Sequence, residues 1–134
     1  MTTVLDASVL VELLVMSPRG HRAAALLAAD AGGLHVPHLA EIETISVARG
    51  LVAGGVLTPV RGGQLLDDLR DFPAQRWPAH MLFERIWELR DNATAYDATY
   101  IALAEALGAR LITADGKLAR GCAAVARCEI VLVE

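Results

Sequence analysis

Three aspartates stand where a carboxylate can do chemistry. Asp6 closes the apolar run in VLDAS just ahead of a helical pattern. Asp115 closes LITAD ahead of Gly116, Lys117 and Leu118, and Asp97 follows Thr94 by three positions in TAYD. Each also has a plain structural use, as an N-cap for Asp6 and Asp115 and at capping-box spacing for Asp97. Their combination points further. In a parallel α/β sheet the C-terminal ends of the strands open on one edge, where such folds place their sites, and Asp6 and Asp115 are both expected there. Asp97 shares a helical face with Ile101 and Ala104, at four and seven positions on, so it begins an inward-facing stripe. A fourth acid is expected from the helix after Pro37, where Glu41 and Glu43 compete. That helix is apolar nearly all round, so its pattern does not choose. Glu43 shares a stripe with Ser46 and Gly50, whose small side chains leave room for a carboxylate. Glu41 reads as a solvated or interface charge.

Two carboxylates about 5 Å apart repel by roughly 3 kcal/mol at an effective dielectric near 20. Four in one pocket would raise their proton affinities or push the site apart, and a divalent cation reverses that cost. Oxygen donors without His or Cys suit Mg2+ or Mn2+. Ser8 and Thr113 flank the same edge, and their hydroxyls can orient the acids as readily as serve capping or strand propensity. The four histidines, His21, His35, His38 and His80, form no zinc set. Cys122 and Cys128 read as buried or loop thiols, and Phe83, Trp77 and Trp87 as side chains that pack the core or a partner.

The elements that must position these residues are short. Apolar runs at Thr3 to Asp6, Leu34 to Val36, Arg110 to Thr113 and Glu129 to Val133 read as strands, with Ala74 to Trp77 either loop or edge strand. Helical patterns cover Ser8 to Val15, His21 to Ala31, His38 to Ala53, Val60 to Asp71, Ala79 to Arg90 and Thr94 to Leu107, with a short turn over Lys117 to Gly121. Strands alternating with helices indicate an α/β sandwich built from crossover units. A chain of 134 residues is one domain's worth. It carries 12 Lys and Arg against 16 Asp and Glu, a net charge of −4, which argues against a nucleic-acid binder that works by bulk charge. At 54% hydrophobic residues it is more apolar than a typical small monomer and so anticipates a partner. No apolar run approaches the roughly 20 residues of a bilayer span. The N-terminus lacks a signal pattern, and two cysteines make no disulfide framework, so a cytosolic setting with reduced thiols is expected.

VLDASVLVELL, then VPHLAEIE, then TAYDATYIALAEALGARLITADGKLA resembles the PIN-domain ribonucleases, and more narrowly the VapC toxins of bacterial toxin–antitoxin pairs. No single short motif is specific, but the ordered set is. The resemblance implies a three-layer α/β/α sandwich around a mainly parallel sheet, spanning residues 1–134 as one domain. It implies Mg2+- or Mn2+-dependent endoribonuclease activity by in-line attack of activated water, leaving 5′-phosphate and 3′-hydroxyl ends. Carried over by position, the catalytic and metal-binding acids are Asp6, Glu43, Asp97 and Asp115, with Glu43 chosen because it lies six residues after Pro37. Thr113 matches the family's strand hydroxyl. Arg110, Lys117 and Arg120, near Asp115 in sequence, read as contacts to RNA phosphates or, at least as readily, as solvated charges at helix and strand ends. Similar toxins are homodimers silenced by a cognate antitoxin.

Two other readings compete. A receiver-type phosphotransfer domain also uses strand-end Asp, Thr, Lys and Mg2+, but it needs paired acids after the first strand, and here Asp6 stands alone. A catalytically silent PIN-like scaffold for RNA or protein is disfavoured by the intact acid set.

Overall fold

A computed structural model describes residues 1–30 and 32–134. Five strands form one sheet: β1 (Thr3–Leu5), β2 (Leu34–Pro37), β3 (Ala74–Trp77), β4 (Arg110–Thr113) and β5 (Ile130–Leu132), in the order β3-β2-β1-β4-β5. Every pairing is parallel, with Thr3 opposite both Leu34 and Arg110 and Thr113 opposite Leu132. β3 is an edge strand.

The strand order itself dictates the layers. The steps from β1 to β2 and from β2 to β3 run one way, and those from β3 to β4 and from β4 to β5 run the other. Crossovers between parallel strands are right-handed, so the first two connections lie on one face and the last two on the opposite face. The first face carries α1 (Ala7–Val15), α2 (Pro18–Leu27), α3 (His38–Ala53) and α4 (Pro59–Asp71), which pack against one another. The other carries α5 (Phe83–Glu88), α6 (Ala95–Leu107) and α7 (Gly116–Cys122). The result is a three-layer sandwich whose reversal falls between β1 and β4, the place where open α/β sheets form their crevice.

β1 and β4 are apolar on both sides because both are covered: Val4, Leu5, Leu111 and Ile112 are all fully buried. α6 lies against β1, β2 and β4 and is buried continuously from Ala98 to Ala104. Thr94 caps its start by accepting a hydrogen bond from the Asp97 N–H at 3.1 Å, and Gly108 ends it with φ 62°.

Two helices depart from the sequence pattern. α2 begins at Pro18 rather than His21, because Ser17 accepts from the Gly20 N–H at 2.9 Å and Pro18 suits the first helical turn. It ends at Leu27, and Ala31, to which the pattern extends, lies outside the described residues. The stretch expected as one helix from Ala79 to Arg90 is instead a 3-10 turn (His80–Leu82) followed by the six-residue α5. Phe83 and Trp87 project from it 63% and 68% exposed, so neither packs the core. The Arg90 guanidinium stacks 4.8 Å from the Trp87 ring centroid.

Candidate active site

Asp6 leaves the end of β1 and caps α1. Its Oδ1 accepts from the Val9 N–H at 3.1 Å and from the Ser8 hydroxyl at 2.6 Å, and its Oδ2 accepts from the Thr113 hydroxyl at 2.5 Å. These hydroxyls are held from behind. Ser8 Oγ accepts the Ala114 N–H and Thr113 Oγ1 the Asp115 N–H, both at 2.9 Å. The end of β1 is thereby stitched to the end of β4, and both expected orienting hydroxyls touch the acid. Asp6 is only 3% exposed. Burial pushes its carboxyl up to about 6, against the hydrogen bonds from Ser8, Thr113 and Val9 and with a push from the Asp115 charge.

Asp115 follows β4 and caps α7, with Oδ1 accepting from the Lys117 and Leu118 N–H groups at 2.9 and 3.3 Å. Among the described residues, its side-chain hydrogen bonds all fall on that one oxygen. Asp97 sits in the first turn of α6 and is half-buried. Its carboxyl is raised by burial and by the charges of Asp115 and Glu43. Glu43 reaches in from α3, and its Oε1 accepts from the Tyr100 hydroxyl at 2.5 Å. The four acids thus form one electrostatic network: Asp115 acts on Asp6 and on Asp97, and Glu43 acts on Asp97. Among the described residues none of the four lies within 4 Å of a cationic group.

Glu41 has a different employment. It pairs with Arg76 at 3.5 Å, and Arg76 in turn donates to the carbonyls of Leu69, Phe72 and Ala74. It belongs to the junction of α3, α4 and β3. Arg110 also stands away from the site. It opens β4, about 10 Å along the strand from Thr113, and its guanidinium binds Thr3, the Leu26 carbonyl and Asp30, the last at 3.0 Å. It is therefore committed to the opposite edge of the sheet, where the Asp30 side chain is 2% exposed. Lys117 and Arg120 do flank Asp115, both exposed, and the Arg120 guanidinium folds back over Gly116. His35 accepts from the Trp77 indole N–H at 3.0 Å.

Two residues near the acids were given no part in the site by the sequence: Cys122, read there as a buried or loop thiol, and Tyr100. Cys122 is buried in α7, and its thiol is pushed up by burial and by the charges of Asp97 and Asp115. Tyr100 is 2% exposed and meets Glu43. Its spacing of three from Asp97, on one helical face, is the signal that was available for it.

The donor set fits a hard dication in its chemistry: four carboxylates, no imidazole or thiolate among them, no cationic group within 4 Å among the described residues, and one acid buried against its own ionisation. The spacing is looser. Among the described residues, no three His, Cys, Asp or Glu side chains converge closely enough as they stand to hold an ion together.

A family model described as the PIN domain matches residues 3–123. The chain belongs to the PIN-domain family. This PIN domain is 42% identical over 130 residues to the VapC ribonuclease Mb0985 of Mycobacterium bovis, covering 97% of each chain. It is 35% identical over 128 residues to Ribonuclease VapC12 of Mycobacterium tuberculosis, covering 96% of this chain and 98% of that one. These similarities place it among the VapC ribonucleases, whose RNA cleavage depends on a metal ion. Its fold is shared by solved structures, among them the following two. VapBC2 from Rickettsia felis, bound to a DNA fragment from its promoter, superimposes with a TM-score of 0.73 at 13% identity over the whole of both chains. A toxin–antitoxin complex from Klebsiella pneumoniae does so at 0.68 and 17% identity over 98% of both.

Proposed function

We propose that this protein is the toxin of a toxin–antitoxin pair, an endoribonuclease dependent on Mg2+ or Mn2+, with the cation held by Asp6, Glu43, Asp97 and Asp115. The observation that carries the assignment is the linked repulsion of four carboxylates at the reversal point of the sheet, none of them within 4 Å of a cationic side chain among the described residues. The reaction is hydrolysis of an RNA phosphodiester to 5′-phosphate and 3′-hydroxyl ends. A dication bound there supplies Lewis acidity, lowering the pKa of water and offsetting charge on the phosphate.

The protein's own contribution is positioning. Ser8, Thr113 and the Val9 N–H fix the Asp6 oxygens in orientation. The buried α6 sets Asp97 at its first turn, and Asp115 keeps Oδ2 free of the hydrogen bonds that cap α7. Lys117 and Arg120 stand beside Asp115 to receive RNA phosphates, where Arg offers a forked pair of donors.

The protein partners are a cognate antitoxin and a second copy of this chain. Exposed apolar side chains on α3 and α4, among them Ile42, Ile45, Val60 and Leu66, support a covered face there, beside a groove of about 420 Å3 lined by Ala48, Val52 and Pro59. No helix among the described residues is long and apolar enough to cross a membrane.

The test is Mn2+ titration calorimetry together with RNA cleavage by wild type and Asp97→Asn. Wild type should bind Mn2+ and cut RNA, and the variant should lose both while keeping its circular dichroism spectrum. An Asp97→Asn protein that cuts at the wild-type rate overturns the assignment.

A further inference from the structure

We propose that Tyr100 is a positioning residue for the metal site, its hydroxyl fixing the Glu43 carboxylate from across the sheet. The proposal rests on the reading of Glu43 as a ligand.

Glu43 comes from α3 on one face of the sheet and Tyr100 from α6 on the other, so their contact spans the open edge of the sandwich. The Tyr100 hydroxyl donates to Glu43 Oε1 at 2.5 Å, which commits its one donor to that carboxylate. The ring is 2% exposed within the buried run of α6, so the phenol is fixed where it stands.

Glu43 has no other hydrogen-bond or ion-pair partner among the described residues. Without the phenol, its three side-chain torsions lose their one restraint. Ser8 and Thr113 restrain Asp6 in the same manner, which makes Tyr100 the equivalent group for Glu43. Loss of a hydrogen bond to a metal ligand typically weakens metal affinity 10- to 100-fold.

The test is a double-mutant cycle read by Mn2+ calorimetry and by melting in EDTA, using wild type, Tyr100→Phe, Glu43→Gln and the double variant. Tyr100→Phe keeps the ring and removes the hydroxyl. It should weaken Mn2+ binding about 10- to 100-fold and lower kcat, while leaving KM for RNA near wild type. In the Glu43→Gln background the same substitution should weaken Mn2+ binding less than threefold. A purely structural tyrosine gives equal losses in both backgrounds, and that result overturns the proposal, as does unchanged Mn2+ affinity in Tyr100→Phe. Should Tyr100→Phe fail to fold, Glu43→Asp withdraws the carboxylate from the phenol by one methylene. It should then weaken Mn2+ binding to the same degree, and wild-type affinity overturns the proposal. Wild-type Mn2+ affinity in Glu43→Gln instead removes Glu43 from the ligand set, a separate failure that strikes the site reading itself.

Discussion

Asp6→Asn should abolish cleavage and yet stabilise the metal-free protein at neutral pH. The Asp6 carboxyl is 3% exposed, and its pKa is raised from 3.8 to about 6, first by desolvation. A carboxyl whose folded pKa lies above its unfolded value binds more protons folded than unfolded between those two values. Its contribution to stability is full below pH 3.8 and is lost as the pH rises through about 6. A shift of about 2 units corresponds to a cost of about 3 kcal/mol at pH 7.5, of which about 2 kcal/mol develops between pH 4.5 and 7.5. Asn at position 6 does not ionise, so its stability relative to wild type should improve by that amount across the interval. Losing one acceptor for Ser8 or Thr113 subtracts a constant and does not alter the slope. The assay is urea denaturation in EDTA at four or five pH values for both proteins. Saturating Mn2+ should then return the stability to wild type, through binding to the folded state, and leave the variant unmoved. A stability difference that is flat from pH 4.5 to 7.5 refutes the reasoning, since it would mean that ionised Asp6 carries no burial penalty.

Two further substitutions probe the frame around the site. The Thr44 hydroxyl is fully buried in α3 with no hydrogen-bond partner among the described residues. Thr44→Val should therefore raise stability by about 1 kcal/mol, visible as a higher urea midpoint with an unchanged slope, and a lower midpoint would contradict it. A Cβ at Gly20 would meet the Glu12 carbonyl oxygen at 2.1 Å and its carbon at 2.6 Å, both backbone atoms. Gly20→Ala should force α1 and α2 apart and cost about 2 kcal/mol or more, read from the same denaturation curves, whereas an unchanged midpoint would show that the helix contact yields freely.

The parts of the fold that were legible in the sequence are those written in adjacent residues. Pro37 ahead of α3 and the Gly54–Gly55 stop after it bound that helix at His38–Ala53, as the pattern predicts, and β4 falls on Arg110–Thr113. α2 escaped because its apolar stripe starts later than its cap. The Ser17–Pro18 pair that opens it is a local signal that periodicity alone ignores. α5 failed in the opposite sense. A helical pattern is present, but Phe83 and Trp87 find no core to bury them, and most helical stability comes from such burial. For the site, strand ends and helix starts were enough to bring Asp6, Asp97 and Asp115 together on paper. The choice between Glu41 and Glu43 depends on Arg76, 35 positions along from Glu41, and the fate of Arg110 depends on Asp30, 80 positions back. Such pairings leave no mark in local composition, and for the same reason the Tyr100–Glu43 contact, across 57 positions, was invisible.

The four acids are contributed by separate elements, with Asp6 near one end of the order and Asp115 near the other. Any scission between them deprives each fragment of at least one carboxylate. On the proposed ligand set, a polypeptide half-synthesised or cut between Asp6 and Asp115 holds no complete site. On that reading, injury to cellular RNA waits until β4 has docked beside β1, and the danger is gated by completion of the tertiary structure itself.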